Sequence, residues 1–187
     1  GSFAVQSLLE LARKRGYDYV GVAFGATPRL LRFWLRLGFI PLHISLERNP
    51  ASGEYSVILM HAISKKALEV ARKINYDFRL RIASSLMDAH FDLDHEVARM
   101  LFTTPFEFEP HYKLFFTPSQ RERMQAYLEG LLPYESVADV ARELVKYWFI
   151  DSRKEKPELG EKDELLLLLK IILVKGWKRV SELLNIS

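Results

Sequence analysis

The chain has no cysteine, which excludes a disulfide framework, a thiolate nucleophile and a cysteine zinc site, and leaves any metal to histidine and carboxylates. That usage agrees with a reducing cytoplasm. A long apolar run is also lacking: Leu165 to Leu169 resumes at Ile171 after Lys170, about ten residues against the ~20 that cross a bilayer. No signal-peptide pattern, internal repeat or low-complexity tract stands out, and no glycine-rich phosphate loop with a lysine occurs. These absences give the expectation of a cytoplasmic protein without a membrane span.

The 187 residues are 49% hydrophobic, enough for one or two domains with cores of their own. The net charge of +3 is unevenly placed. Residues 1–64 hold seven Lys/Arg against four Asp/Glu, whereas residues 65–187 hold twenty of each. The basic excess lies in the first third.

Periodicity changes at the same point. Residues 3–15 read as a helix with one apolar face, stopped by Gly16. Residues 17–24 are apolar and β-rich, the pattern of a buried strand. Thr27 and Pro28 are the N-cap and first residue of a short helix that ends at Gly38. Residues 39–46 and 55–63 are strands joined by "ERNPASGE", rich in turn residues. From Lys65 onward the period is helical, with helices expected over residues 65–87, 95–102, 119–131, 136–149, 162–174 and 177–184. Between them lie "TTPFEFEPHYKLFFTP" and the charged "DSRKEKPELGEK", read as loop and linker. The fold class is therefore α+β, with a mixed segment at 1–64 and an all-α tail at 65–187.

Arg29, Arg32 and Arg36 recur at helical spacing along one face, close to a helix start whose free N–H groups favour anions. They are either a solvated helix face or an anion site. The apolar Leu30, Leu31, Phe33, Trp34 and Leu37 between them are core candidates. Lys65, Lys66, Arg72, Lys73, Arg79 and Arg81 form a second basic group in which 65, 72 and 79 lie seven apart. Such a stripe suits RNA phosphates, with Tyr76 or Phe78 to stack on a base. Glu69, four residues before Lys73, suits ordinary surface pairing instead. "DAHFDLDHE" is dense in metal-ligand types, but its spacing fits no common zinc site and Asp94 suits an N-cap, so no metal is expected. His43 and His61 fall in strands and read as ordinary strand residues. No catalytic acid or base can be assigned.

The order helix, strand, helix, strand, strand resembles the second half of the GNAT acyltransferase fold, in which acetyl-CoA lies between two splayed strands. More particularly, "DYVGVAFGATPRLLRFWLRLGFIPLHI" and "SGEYSVIL" resemble the tRNA(Met) cytidine acetyltransferase family. The resemblance continues through "NYDFR", "FTPSQRERMQAYLEGLLPYESVADVARELVKYWF" and "LGEKDELLLLLKIILVKGWKRV", and so covers nearly the whole chain. It implies a C-terminal fragment: half of an acetyl-CoA domain and a helical tail that binds tRNA, inactive alone.

The resemblance further implies an upstream module using ATP and Mg, and a loop cradling the CoA pyrophosphate. Gly1 and Ser2 are either the last two letters of that loop or a cloning remnant. Arg29 and Arg36 match positions linked to acetyl-CoA, although the bacterial form has a glutamate in place of Arg29. The six cations between Lys65 and Arg81 are the RNA-binding candidates. The first strand is expected to present an open edge, covered by the N-terminal part of the same protein or by a symmetry mate. Two alternatives stay open at this point: a non-catalytic RNA-binding or scaffold module, and a GNAT enzyme acting on protein or small amines.

Overall fold

The structure, a computed structural model, describes residues 1–105, 111–151 and 159–186. Parts of the two connecting segments, 106–110 and 152–158, lie outside the described residues. The chain forms two compact units, Gly1–Phe108 and Glu109–Ser187.

In the first unit the order is α1 (Ser2–Lys14), β1 (Tyr19–Gly25), α2 (Pro28–Arg36), β2 (Ile40–Arg48), β3 (Tyr55–Ala62), α3 (Lys65–Ser85) and α4 (His95–Leu101). The helix starts follow from side-chain caps: Thr27 accepts from Leu30 N, Ser64 from Ala67 N and Asp94 from Val97 N. Gly38 lets the chain leave α2 at φ +79, and a Cβ there would meet the His61 ring at 3.3 Å. Asn49 and Gly53, the latter at φ +72, close the turn between β2 and β3.

All strand pairs are antiparallel, in the order β1-β3-β2. β3 is central, and Val57 and Leu59 are fully buried within it. β1 differs from the buried strand its composition predicts. It pairs only with β3 among the described residues, and its side chains alternate between exposed and half-buried. Its apolar letters mark an edge strand with one face covered, which is the open edge expected from the sequence.

α3 packs on β2 and β3 through Ala67, Ala71, Phe78 and Ile82, while α2 meets α4. These contacts place α3 and α4 in the same compact unit as the sheet, so the change of class at Ser64 falls inside that unit. Asn75, buried in α3, donates from Nδ2 to the Pro41 carbonyl at 2.9 Å, where β2 bulges.

"DAHFDLDHE" works as a structural clip. His90 is buried, stacks near Tyr55 and donates from Nε2 to the Ser45 carbonyl at 2.8 Å. Asp92 accepts from the Tyr55 hydroxyl at 2.8 Å and pairs with Arg48 at 3.0 Å. The Tyr55 hydrogen bond, against a burial effect and helped by Arg48, holds the Asp92 carboxyl below its ordinary range. The stability it contributes is present above the ordinary carboxylate pKa and is lost as pH falls through the lowered one. Asp92→Asn should therefore lower the thermal midpoint at neutral pH, by an amount within about 1 kcal/mol because the pair is solvent-accessible. The gap from the unsubstituted protein should close in melts run between about pH 5 and pH 2; a gap unchanged by acid counts against the clip.

The second unit contains α5 (Pro118–Leu128), a 3-10 turn (Tyr134–Val137), α6 (Ala138–Ile150), α7 (Glu161–Leu167), a π-helical turn (Leu168–Ile172) and α8 (Trp177–Leu184). Thr117 and Gln120 form a capping box at the start of α5. The apolar "DELLLLLKIIL" supplies the core: Leu168, Leu169 and Ile172 are buried, with Val140, Phe149 and Val180 from neighbouring elements. α5 buries none of its residues and is tied to α6 by polar contacts, Arg123 to Asp139 at 2.8 Å and Gln120 to Asp139 at 3.0 Å.

Candidate functional site

The site is built where the head of α1 meets α2. Gly1 is the N-cap of α1, and no side chain accepts a hydrogen bond from its first turn. A Cβ on Gly1 would lie 3.5 Å from the Phe33 ring, so the start of α1 rests on α2. α2 is held in turn by aromatic packing: Trp34 lies 4.8 Å from Phe39 and 6.2 Å from Phe24 of β1. His61 donates from Nδ1 to the Leu37 carbonyl at 3.2 Å and fixes the end of the helix. His43 is exposed on β2.

Between these elements lies a cavity of about 410 Å³, lined by Ser2, Arg29, Arg32, Phe33, Arg36 and Leu37. The structure thus brings three of the four sequence-predicted cofactor residues, Ser2, Arg29 and Arg36, to one wall, with Gly1 beside them on Phe33. The three arginines are not equivalent. Arg32 pairs with Glu96 of α4 at 3.1 Å, whereas Arg29 and Arg36 are exposed and have no ion-pair partner among the described residues. Two uncompensated guanidinium groups, a serine hydroxyl and uncapped helix N–H groups face one space, an arrangement suited to a phosphate or pyrophosphate. Phe33 and Leu37 complete the lining and were legible only as core candidates. The residues present fit the charged end of a coenzyme A. No side chain in the cavity is placed to accept a proton from a nucleophile.

The basic group on α3 is only partly a surface stripe. Lys65, Lys66, Arg72, Lys73 and Arg81 are exposed. Arg79 is buried, with its guanidinium 5.6 Å from the Tyr76 ring, and so leaves the stripe that its sevenfold spacing predicts. Phe78 is also buried and is part of the core, not a stacking platform. Arg81 pairs with Asp77 at 2.8 Å.

Residues 5–64 match the family model described as GNAT acetyltransferase 2. With the strand order above, that match defines the class: an α+β protein carrying the C-terminal half of a GNAT acetyltransferase domain and a helical tail. Its particular relatives are the proteins named tRNA(Met) cytidine acetyltransferase TmcA, to one segment of which the whole chain is homologous. It is 40% identical over 185 residues to the protein of that name from Pyrococcus furiosus and 42% identical over 185 residues to that from Methanopyrus kandleri, both covering 99% of this chain. It is 41% identical over all 187 residues to that from Thermofilum pendens. The chain spans about a fifth of these curated relatives, 22%, 21% and 23% of their respective lengths.

Proposed function

We propose that this chain supplies the phosphate-holding half of the acetyl-CoA site of an RNA acetyltransferase acting on the exocyclic amine of a cytidine in tRNA(Met). The observation that carries the reading is the convergence of Ser2, Arg29 and Arg36 on one cavity at the head of α1. The printed names of the relatives supply the substrate. Acetyl-CoA, when bound, supplies the acetyl thioester; this chain's residues bind and orient its phosphates. The groups that polarise the thioester and accept the proton belong to the part of the protein that covers the open edge of β1. That part is the N-terminal region of the same protein, or a symmetry-related copy. ATP and Mg²⁺ serve a module in that region, and no residue of this chain is assigned to them. The exposed Lys65, Lys66, Arg72, Lys73 and Arg81 take tRNA phosphates, and the enzyme works in the cytoplasm. No helix of the described residues is long and apolar enough to cross a membrane.

Calorimetric titration with acetyl-CoA tests the reading. The chain alone should bind weakly, and the chain joined to the remaining segment of the acetyl-CoA domain should bind tightly and yield acetylated cytidine in tRNA(Met) by nucleoside mass spectrometry. Absence of coenzyme binding by the completed domain would overturn it and leave a non-catalytic RNA module.

A further inference from the structure

The second unit carries an exposed aromatic residue supported in an unusual way. Trp177, the first residue of α8, is 53% exposed. The Lys170 ammonium lies 4.6 Å from its ring centroid and 5.2 Å from that of Tyr134, and the Tyr134 and Trp177 rings meet edge-on at 6.2 Å. Lys170 also reaches the Lys175 carbonyl at 3.5 Å. The π-helical turn Leu168–Ile172 carries Lys170, and Val174 then turns the chain at φ 51, a conformation that a β-branched residue rarely adopts. The result is an indole held by a cation and a tyrosine, with about half its surface in water.

Around it, "KGWKR" places Lys175, Lys178 and Arg179 within two residues of the ring. Glu182 pairs with Arg179 at 3.2 Å, and Glu135 follows Tyr134, so the corner remains cationic. The core of a protein interface is depleted of charge around its aromatic anchors. Here the anchor is ringed by cations, which is the arrangement that takes a base on an aromatic face and phosphates on either side. Because the indole is already fixed by Lys170 and Tyr134, stacking orders little that was free before.

We propose that the α8 corner is a single-stranded RNA site in which Trp177 stacks on an unpaired base while Lys178 and its basic neighbours hold the flanking phosphates. This rests on the reading above that the protein handles RNA, and places a base-contacting group in the tail as distinct from the phosphate contacts of α3.

Fluorescence anisotropy with the full chain and a labelled single-stranded oligoribonucleotide of about twelve nucleotides, beside a hairpin duplex of similar length, tests it. Trp177→Ala should weaken single-strand binding about tenfold and duplex binding twofold or less; Trp177→Phe, which keeps a stacking face, should stay within about threefold of the unsubstituted protein. Lys178→Gln should lower the single-strand salt slope by about 0.7. If circular dichroism shows that Trp177→Ala disturbs the fold, the Phe and Lys178→Gln variants decide the matter. Unchanged single-strand affinity in Trp177→Ala, or an equal loss for single strand and duplex, overturns the stacking site. So does an effect confined to self-association, which would make the corner a protein contact. Loss of binding on substituting Lys65 and Lys66 but not Trp177 overturns this proposal alone; no RNA binding by the unsubstituted protein overturns both readings.

Discussion

Replacing Arg29 and Arg36 together by alanine should weaken acetyl-CoA binding by at least about tenfold, and by as much as a hundredfold, in the protein that carries the complete coenzyme site. A charge-assisted hydrogen bond contributes about 1.5–3 kcal/mol net, and each 1.4 kcal/mol is a factor of about ten in affinity. Exposure at the cavity rim puts the expectation toward the lower end for each arginine. Arg32→Ala is the internal control. Its guanidinium lines the same cavity but is paired with Glu96, so its loss should loosen α4 from α2 more than it weakens the coenzyme. Titration with dephospho-CoA divides the effect further: a penalty that disappears with that ligand assigns the arginines to the 3′-phosphate, and one that persists assigns them to the pyrophosphate. Equal affinity in the double variant and the unsubstituted protein would remove the α2 face from the coenzyme site.

Phe78→Ala should destabilise the first unit by about 3–5 kcal/mol, the range for removing a buried phenyl ring. The side chain is 1% exposed on the inner face of α3, and that helix packs against both β2 and β3. The fixed backbone of the sheet on one side and the helix on the other limit how far the gap can collapse. Denaturant unfolding of the variant is the measurement, and a loss under about 1 kcal/mol would mean that α3 is not the lid of this core. Because Phe78 was also a candidate for base stacking, its RNA affinity is informative. It should be unchanged under conditions where the variant remains folded.

Helix starts and stops were largely legible because they are local. Thr27-Pro28, Ser64, Asp94 and Thr117-Pro118 each cap or open a helix within one turn, and those helices begin within a residue or two of expectation. The arginine face of α2 was legible from spacing alone. What differed is set by geometry across longer distances. Sevenfold spacing drifts by about 20° per heptad on a straight helix. Over the two heptads from Lys65 that drift carries Arg79 toward Asn75 and Ile82 on the buried side. The partner of Arg32 lies 64 residues away, and nothing near Arg32 signals Glu96. β1 reads as fully buried because an apolar run shows composition but not the number of neighbouring strands. The lysine beneath Trp177 depends on a helix that changes its hydrogen-bond pattern midway, for which the leucine run gives no sign.

That change of pattern has a consequence for which alterations the tail can absorb. The segment Leu168–Ile172 takes in more residues per turn than its flanks. Deleting one of them would restore the ordinary ladder and rotate everything downstream by about 100°, swinging the indole off its ammonium support. Exchanging one aliphatic letter for another of similar volume leaves the count intact. Number, more than identity, is therefore the inherited quantity in this stretch.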